Sequence, residues 1–244
     1  MNQDLLVDII IPLYNEETNL AHSVKTIVDY LKVSAFPYQY TITLANNAST
    51  DSSWKVCQDL VQTFSHVKAL DVGAKGKGLA IRTAWSQSSA NILAFMDVDL
   101  SSDLGAFRRL VDGVIISKND LVIGCRLGKD SQIISNKILR KIASRFYNFV
   151  VRLFLRSPFP DHQCGFKAMD KKAFDRLAPH LSENGFFFDT ELIASAVQAG
   201  LKIQSIDIVW HDSPHSKVSL FSDSLKMFLD VIRLRKRLNA TQHI

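Results

Sequence analysis

Two acids, Asp97 and Asp99 in the segment AFMDVDLSSD, close an apolar run and carry the first chemistry legible in this chain of 244 residues. On extended backbone a spacing of two points both carboxylates the same way, so one divalent ion could engage them. Carboxylates clustered beside substrate phosphates suit Mg²⁺ or Mn²⁺. Taken alone, the pair reads equally as a solvated loop with capping acids ahead of Leu104. GAKGKG, Gly73 to Gly78, has the glycines and the cations (Lys75, Lys77, then Arg82) to meet an anion at a helix N-terminus. It fits neither the GxxxxGK[ST] nor the GxGxxG pattern, which disfavours a P-loop or a dinucleotide site. Two further polar clusters, IIIPLYNEE (Pro12, Tyr14, Asn15, Glu16, Glu17) and LANNASTDSS (Asn46 onward), read as ligand loops or as capped turns that open helices.

These clusters follow short β-branched runs. Strands are expected at Val7–Leu13, Tyr40–Ala45, Val67–Asp71, Ile92–Met96 and Leu121–Gly124, alternating with amphipathic helices at Asn19–Leu31, Trp54–Phe64, Gly78–Ser86 and Leu104–Ile115. Such βαβα order implies an α/β fold with a mainly parallel sheet flanked by helices, whose ligands bind beyond the carboxyl ends of the strands. After Gly124 the pattern loosens: a basic helix near 136–156, an irregular CGFKAM segment, a helix beginning near Asp189, a strand at Ile203–Val209 and a basic helix near 222–238. Residues 1–244 are read as a single catalytic domain.

Composition narrows the classes. With 47% apolar and 22% charged residues the chain has the profile of a globular protein. No run approaches the roughly 20 apolar residues of a membrane span. An acid and no base precede the first apolar run, so a cytoplasmic location is expected. Cys57, Cys125 and Cys164 are odd in number and lack CxxC spacing, which favours buried thiols over disulfides or zinc. His66, His162, His180, His211 and His215 read as surface or loop residues. The net charge of +5 is uneven: 131–160 holds six bases and no acid, and 226–237 holds five bases and one acid. This suggests localised contact with an anionic surface, with nucleic acid, anionic lipid and phosphorylated substrate all open. No nucleic-acid-binding module accompanies the bases.

PLYNEE after the first strand, NNASTD after the second, AKGKGLAIRTAW before the third helix, MDVDLSSD after the fourth strand and VIGCR after the fifth occur in an order that resembles the family 2 glycosyltransferases of the GT-A fold. Downstream, DHQCGFKAM, GFFFDTEL and VWHDSPHSKV resemble the polyprenyl and dolichyl phosphate sugar synthases, the glucosyl branch most closely. The resemblance implies that Pro12, Tyr14, Asn15, Glu16 and Asn46 hold the nucleotide, with Lys75, Lys77 and Arg82 as accompanying cations. It implies Asp97 at the ribose and diphosphate, and Asp99 at the Mg²⁺ or Mn²⁺ cofactor. Asn46 departs from the Asp common in that family. Arg126, Asp161, Gln163 and Lys167 would line the acceptor side, and Asp189 or Glu191 would orient the sugar or serve as an auxiliary base.

The reaction so implied is inverting transfer of a hexose, glucose from UDP-glucose, onto a polyprenyl phosphate at the inner membrane face. The helix at 136–156 fits a peripheral contact. Ile138, Leu139, Ile142, Phe146, Phe149, Val150 and Leu153 are assigned to one arc, and Lys137, Arg140, Lys141, Arg145, Arg152 and Arg156 to the opposite one. Transfer to a sugar hydroxyl, a nucleotidyltransferase that releases pyrophosphate, and a silent nucleotide-sugar sensor are the alternatives.

Overall fold

The computed structural model describes residues 5–135, 138–211 and 222–240; side chains at 138–141 and 222–228 are outside that description, as are the expectations that rest on Lys137, Ile138, Leu139, Arg140, Lys141 and His215. Seven strands form one sheet in the order β3-β2-β1-β4-β7-β5-β8. They are β1 (Leu6–Leu13), β2 (Gln39–Asn46), β3 (Val67–Asp71), β4 (Ile92–Met96), β5 (Leu121–Cys125), β7 (Phe166–Asp170) and β8 (Ile203–Asp207). Two short strands, β6 (Gln132–Ile134) and β9 (Val209–His211), pair separately. The helices are α1 (Leu20–Val33), α2 (Ser53–Thr63), α3 (Lys77–Gln87), α4 (Phe107–Ile115), α5 (Ile138–Leu155), α6 (Lys171–Leu177), α7 (Phe188–Gln198) and α8 (Ser222–Ala240).

β1, β2, β3 and β4 run parallel, as the alternating pattern predicts. Because helices cover both faces, successive residues of β1 from Val7 to Leu13 are buried: Ile9 and Ile11 pack with α1 and α4, while Ile10 joins Trp85 of α3 and Phe188 of α7 on the other side. Asp8 is the polar exception on this strand. Burial pushes its carboxyl upward, and hydroxyls of Thr43 and Ser88 donate to it at 2.7 and 2.6 Å.

β7 corrects the sequence reading. Phe166–Asp170, overlapping the CGFKAM segment to which the sequence pattern assigns no element, is a central antiparallel strand between β4 and β5. Lys167 at its centre interrupts the apolar run, yet that residue is fully buried. Its last residue, Asp170, caps α6 by accepting from the Ala173 N–H at 3.1 Å.

α5 also differs from expectation. Tyr147, Asn148, Val151 and Leu155 face the protein, where Val151 and Leu155 pack with Phe187, Ala194, Val231 and Leu234 of the α7–α8 region. Ile142, Phe146, Phe149 and Leu153 are between 58% and 68% exposed. At about 100° per residue these four fall within roughly 60° of one another. Arg145, Arg152 and Arg156 are exposed; the same spacing places Arg145 and Arg152 beside the apolar stripe, since the opposite face is the one that docks, and Arg156 follows the helix end at φ 52°.

Candidate functional site

The register of the parallel strands sets Leu13, Asn46 and Asp71 side by side, so the loops after β1, β2 and β3 leave one edge together. Asn15 sits in the left-handed region (φ 54°), which asparagine tolerates better than most residues. Its side-chain oxygen accepts from the Thr50 N–H at 2.8 Å, and its backbone N–H donates to the Ser49 hydroxyl at 3.0 Å. The Glu16 N–H donates to the Ser53 hydroxyl at 2.7 Å. PLYNEE and NNASTD are thus stitched into a single polar rim. Pro12 is buried opposite Ala45, and the Lys75 ammonium lies 3.9 Å from the centre of the Tyr14 ring. Asn46 donates to Asp71 at 3.0 Å and accepts from the Ser49 N–H at 3.2 Å. Asn47, a residue the sequence reading did not single out, accepts from the Gly76 N–H at 3.4 Å and ties the GKG loop to the rim.

The chain leaves β4 at Met96 and turns at once. The Leu100 N–H donates to the Asp97 carbonyl at 3.2 Å, and Leu100 has φ 50°. Asp97 and Asp99 therefore do not share a side through strand pleating, contrary to the expectation from their spacing. Asp97 turns to Lys77, which is 2.7 Å away, while Asp99 is exposed and accepts from the Ser101 N–H at 3.1 Å. Gly165 backs this turn: a side chain there would collide with the Asp97 carboxylate, and the Gly165 carbonyl accepts from the Asp97 N–H at 3.2 Å. CGF is thereby paired with DVD.

Lys77 also meets Asp189 at 3.1 Å, and Asp189 in turn holds the buried ammonium of Lys167, which donates to the Cys164 carbonyl as well. Burial would depress the Lys77 ammonium, but Asp189 and Asp97 reverse that and hold it charged. Burial pushes the Asp97 carboxyl upward, and Asp189 and Asp99 add like charge against the pull of Lys77. A divalent cation would relieve that excess of carboxylate charge, and the hard oxygens of Asp97 and Asp99 are donors of the right kind. Their chemistry fits a hard cation such as Mg²⁺ or Mn²⁺.

On the far side of β4, Arg126 grips Asp161 with two parallel bonds, Nε to Oδ2 at 2.7 Å and Nη2 to Oδ1 at 2.8 Å. The Arg126 and Gln163 N–H groups donate to the same carboxylate at 2.9 and 3.1 Å. Although burial alone would raise it, Arg126 pulls the Asp161 carboxyl down to about 2. Arg126 also lies over the Trp210 ring at 5.6 Å. Neighbouring His162 is buried rather than a surface residue, and burial lowers its ring to about 4. Asn148 of α5 accepts from its backbone N–H at 2.8 Å, and Ser157 lies 2.8 Å from Nε2. Tyr147 of α5 makes a second inward contact, at 2.9 Å to Thr190 beside Asp189. Burial pushes the Cys164 thiol up to about 12, so it is inert; all three cysteines are buried and free.

Two residues expected at ligands are committed elsewhere. Arg82 donates to the Leu181 carbonyl at 2.7 Å and to Asn184 at 2.5 Å. Glu191 is fully buried and accepts from the Ser182 and Glu183 N–H groups at 3.0 and 2.9 Å, and from Arg237 of α8. Together they clamp the 181–184 loop, on whose backbone the GKG loop rests so closely that side chains at Gly76 or Gly78 would collide with it. No local motif announces Arg237, which reaches the site from 46 residues away.

With this geometry in hand, the comparisons with known proteins are specific. The family description "Glycosyl transferase family 2" matches residues 8–178. "Glycosyltransferase AglD" of Haloferax volcanii is 29% identical over 93% of this chain, which spans 36% of that protein's length. "Dolichyl-phosphate beta-glucosyltransferase" of Saccharomyces cerevisiae is 24% identical over 96% of this chain and 75% of its own. Among solved structures, glucosyl-3-phosphoglycerate synthase from Mycobacterium tuberculosis, in complex with Mn²⁺, UDP and glucosyl-3-phosphoglycerate, superposes with a TM-score of 0.66. It is 17% identical, with 96% of this chain and 80% of that one covered, so the two share a fold, the GT-A arrangement.

Proposed function

The chain belongs to glycosyl transferase family 2, and from that premise we propose that it moves a hexose, glucose from UDP-glucose, onto the phosphate of a polyprenyl lipid at the inner membrane face, inverting the anomeric carbon. The observation that carries the choice of acceptor is the state of the two candidate bases. Both oxygens of Asp189 are taken by Lys167 and Lys77, and those of Glu191 by loop N–H groups and Arg237. A sugar hydroxyl would need one of them to accept its proton. A phosphate monoester, with its second ionisation near pH 6, is largely deprotonated at neutral pH and needs no such help. The dolichyl-phosphate glucosyltransferases among the relatives favour the same acceptor.

In this reading Pro12, Tyr14, Asn15, Glu16 and Asn46 surround the nucleoside, and Lys75 and Lys77 face the diphosphate. Asp99 with Asp97 would hold Mg²⁺ or Mn²⁺, which when bound neutralises charge on the leaving diphosphate; the M. tuberculosis neighbour is a complex with Mn²⁺ and UDP. Arg126, with Nε and Nη2 spent on Asp161, meets the acceptor phosphate through Nη1, and Gln163 and Lys167 lie on the same side. An acceptor oxygen attacks the anomeric carbon, the bond from that carbon to the diphosphate breaks, and UDP leaves with the electron pair. Lipid access is supported by α5: its apolar stripe and flanking arginines match an interfacial helix, and its buried face fixes His162 beside Asp161. Among the described residues no helix is long and apolar enough to cross a membrane.

The test is a donor screen with polyprenyl phosphate in anionic vesicles and Mg²⁺ or Mn²⁺, with both products identified by mass. UDP and a polyprenyl phosphohexose are expected. Phe146→Asp with Phe149→Asp should lower vesicle binding and raise the apparent KM for long-chain acceptor more than for a short soluble one. Pyrophosphate release, or transfer to sugar hydroxyls alone, contradicts the proposal.

A further inference from the structure

Asn46 is buried, and its amide is already partly spoken for: the oxygen accepts from the Ser49 N–H at 3.2 Å and the nitrogen donates to Asp71 Oδ1 at 3.0 Å. Asp71 ends β3 directly beside Asn46 in the register and is exposed. The Gly73 N–H reaches the same Oδ1 at 3.4 Å, and among the described residues Oδ2 accepts nothing. One amide hydrogen of Asn46 and one carboxylate oxygen of Asp71 therefore have no partner among the described residues, at neighbouring positions of the rim that also carries Tyr14 and Lys75.

We propose that Asp71 is the residue that selects the donor's nucleobase, acting with Asn46 as a paired reader of a lactam edge, a carbonyl next to a ring N–H. The Asp71 oxygen accepts from the ring N–H while Asn46 donates to the adjacent carbonyl. Uracil and guanine both present that edge. Cytosine and adenine present the reverse, an unprotonated ring nitrogen beside an amino group, which sets acceptor against acceptor and donor against donor. The carboxylate that the family commonly places at position 46 is supplied here by the neighbouring strand, so the Asn46 departure changes which residue reads the base and keeps the chemistry.

This inference rests on the nucleotide-sugar reading, and its test separates the two. Titration of UDP, GDP, CDP and ADP with Mg²⁺ into the full chain should give UDP or GDP at least tenfold tighter than CDP and ADP, the stronger of the two identifying the base. Asp71→Asn, which offers an amino group where the carboxylate stood, should weaken the preferred nucleotide at least tenfold and CDP far less, so that the preference over CDP collapses. Asn46→Ala should weaken the same nucleotide while retaining part of that preference. A folded Asp71→Asn protein with an unchanged UDP-to-CDP ratio, or with all four nucleotides weakened alike, overturns the assignment to Asp71. A wild-type chain that binds none of the four overturns the donor reading itself.

Discussion

The rim after β1, β2 and β3 and the far side around β5 and β7 are assembled by different forces. On the donor rim, loop side chains hydrogen-bond to backbone and to one another: Asn15 with Thr50, Ser53 with Glu16, Asn47 with Gly76. Around β7 the connections are buried ion pairs, Arg126 with Asp161 and Lys167 with Asp189, with the Glu191–Arg237 pair closing the neighbouring loop. A hydrogen bond of the first kind is worth about 0.5–1.5 kcal/mol net and can be exchanged for one to a ligand. A buried ion pair cannot be opened by halves, because removal of one partner strands the other charge. If the proposed assignment holds, the rim after β1, β2 and β3 can adapt to a nucleotide, and the side around β5 and β7 keeps its cations fixed.

The largest effect expected from this contrast is on the acceptor side. Arg126→Ala leaves the Asp161 carboxylate buried and unpaired, and should cost about 3–5 kcal/mol in denaturant unfolding. Acid should reach the same region in two stages. His162, lowered from 6.5 to about 4, contributes stability that is present above 6.5 and lost as the pH falls to about 4. The loss is roughly 3 kcal/mol. Asp161, lowered from 3.8 to about 2, adds a further loss of about 2 kcal/mol below that window. Thermal melts from pH 7 to 2 should show both stages, and His162→Gln should remove the upper one. Arg237→Ala leaves Glu191 with its loop N–H donors, so a smaller loss of about 1–3 kcal/mol is expected, together with lower turnover because the GKG loop rests on the loosened segment. Asn15→Ala should cost the least, about 1 kcal/mol. A donor-rim variant that matched Arg126→Ala in stability would break the comparison.

The same contrast governs how far the residues could be read in advance. βαβα order and the loops after each parallel strand were legible because apolar periodicity and turn chemistry are local. β7 was not, because a buried Lys167 is tolerable only through Asp189, which lies 22 residues downstream. Asp97 and Asp99 were found as a pair, but their directions follow from a turn that the Gly165 backbone supports from another strand. Arg82 and Glu191 were visible as charged residues in motifs, and only packing reveals that they clamp the 181–184 loop. The apolar stripe of α5 was visible in the pattern; the position of its arginines was misplaced because which face docks depends on α7 and α8. Asp71 carried no motif, and its pairing with Asn46 required the register of β2 and β3.

Arg126→Lys separates the two sides, since lysine keeps a positive charge near Asp161 but loses the bidentate grip. On protein shown to be folded, UDP-glucose affinity is measured by titration and the apparent KM for polyprenyl phosphate by initial rates. An acceptor KM raised at least tenfold with the UDP-glucose affinity unchanged within twofold is expected. Equal weakening of donor and acceptor, or a loss confined to the donor, would contradict it.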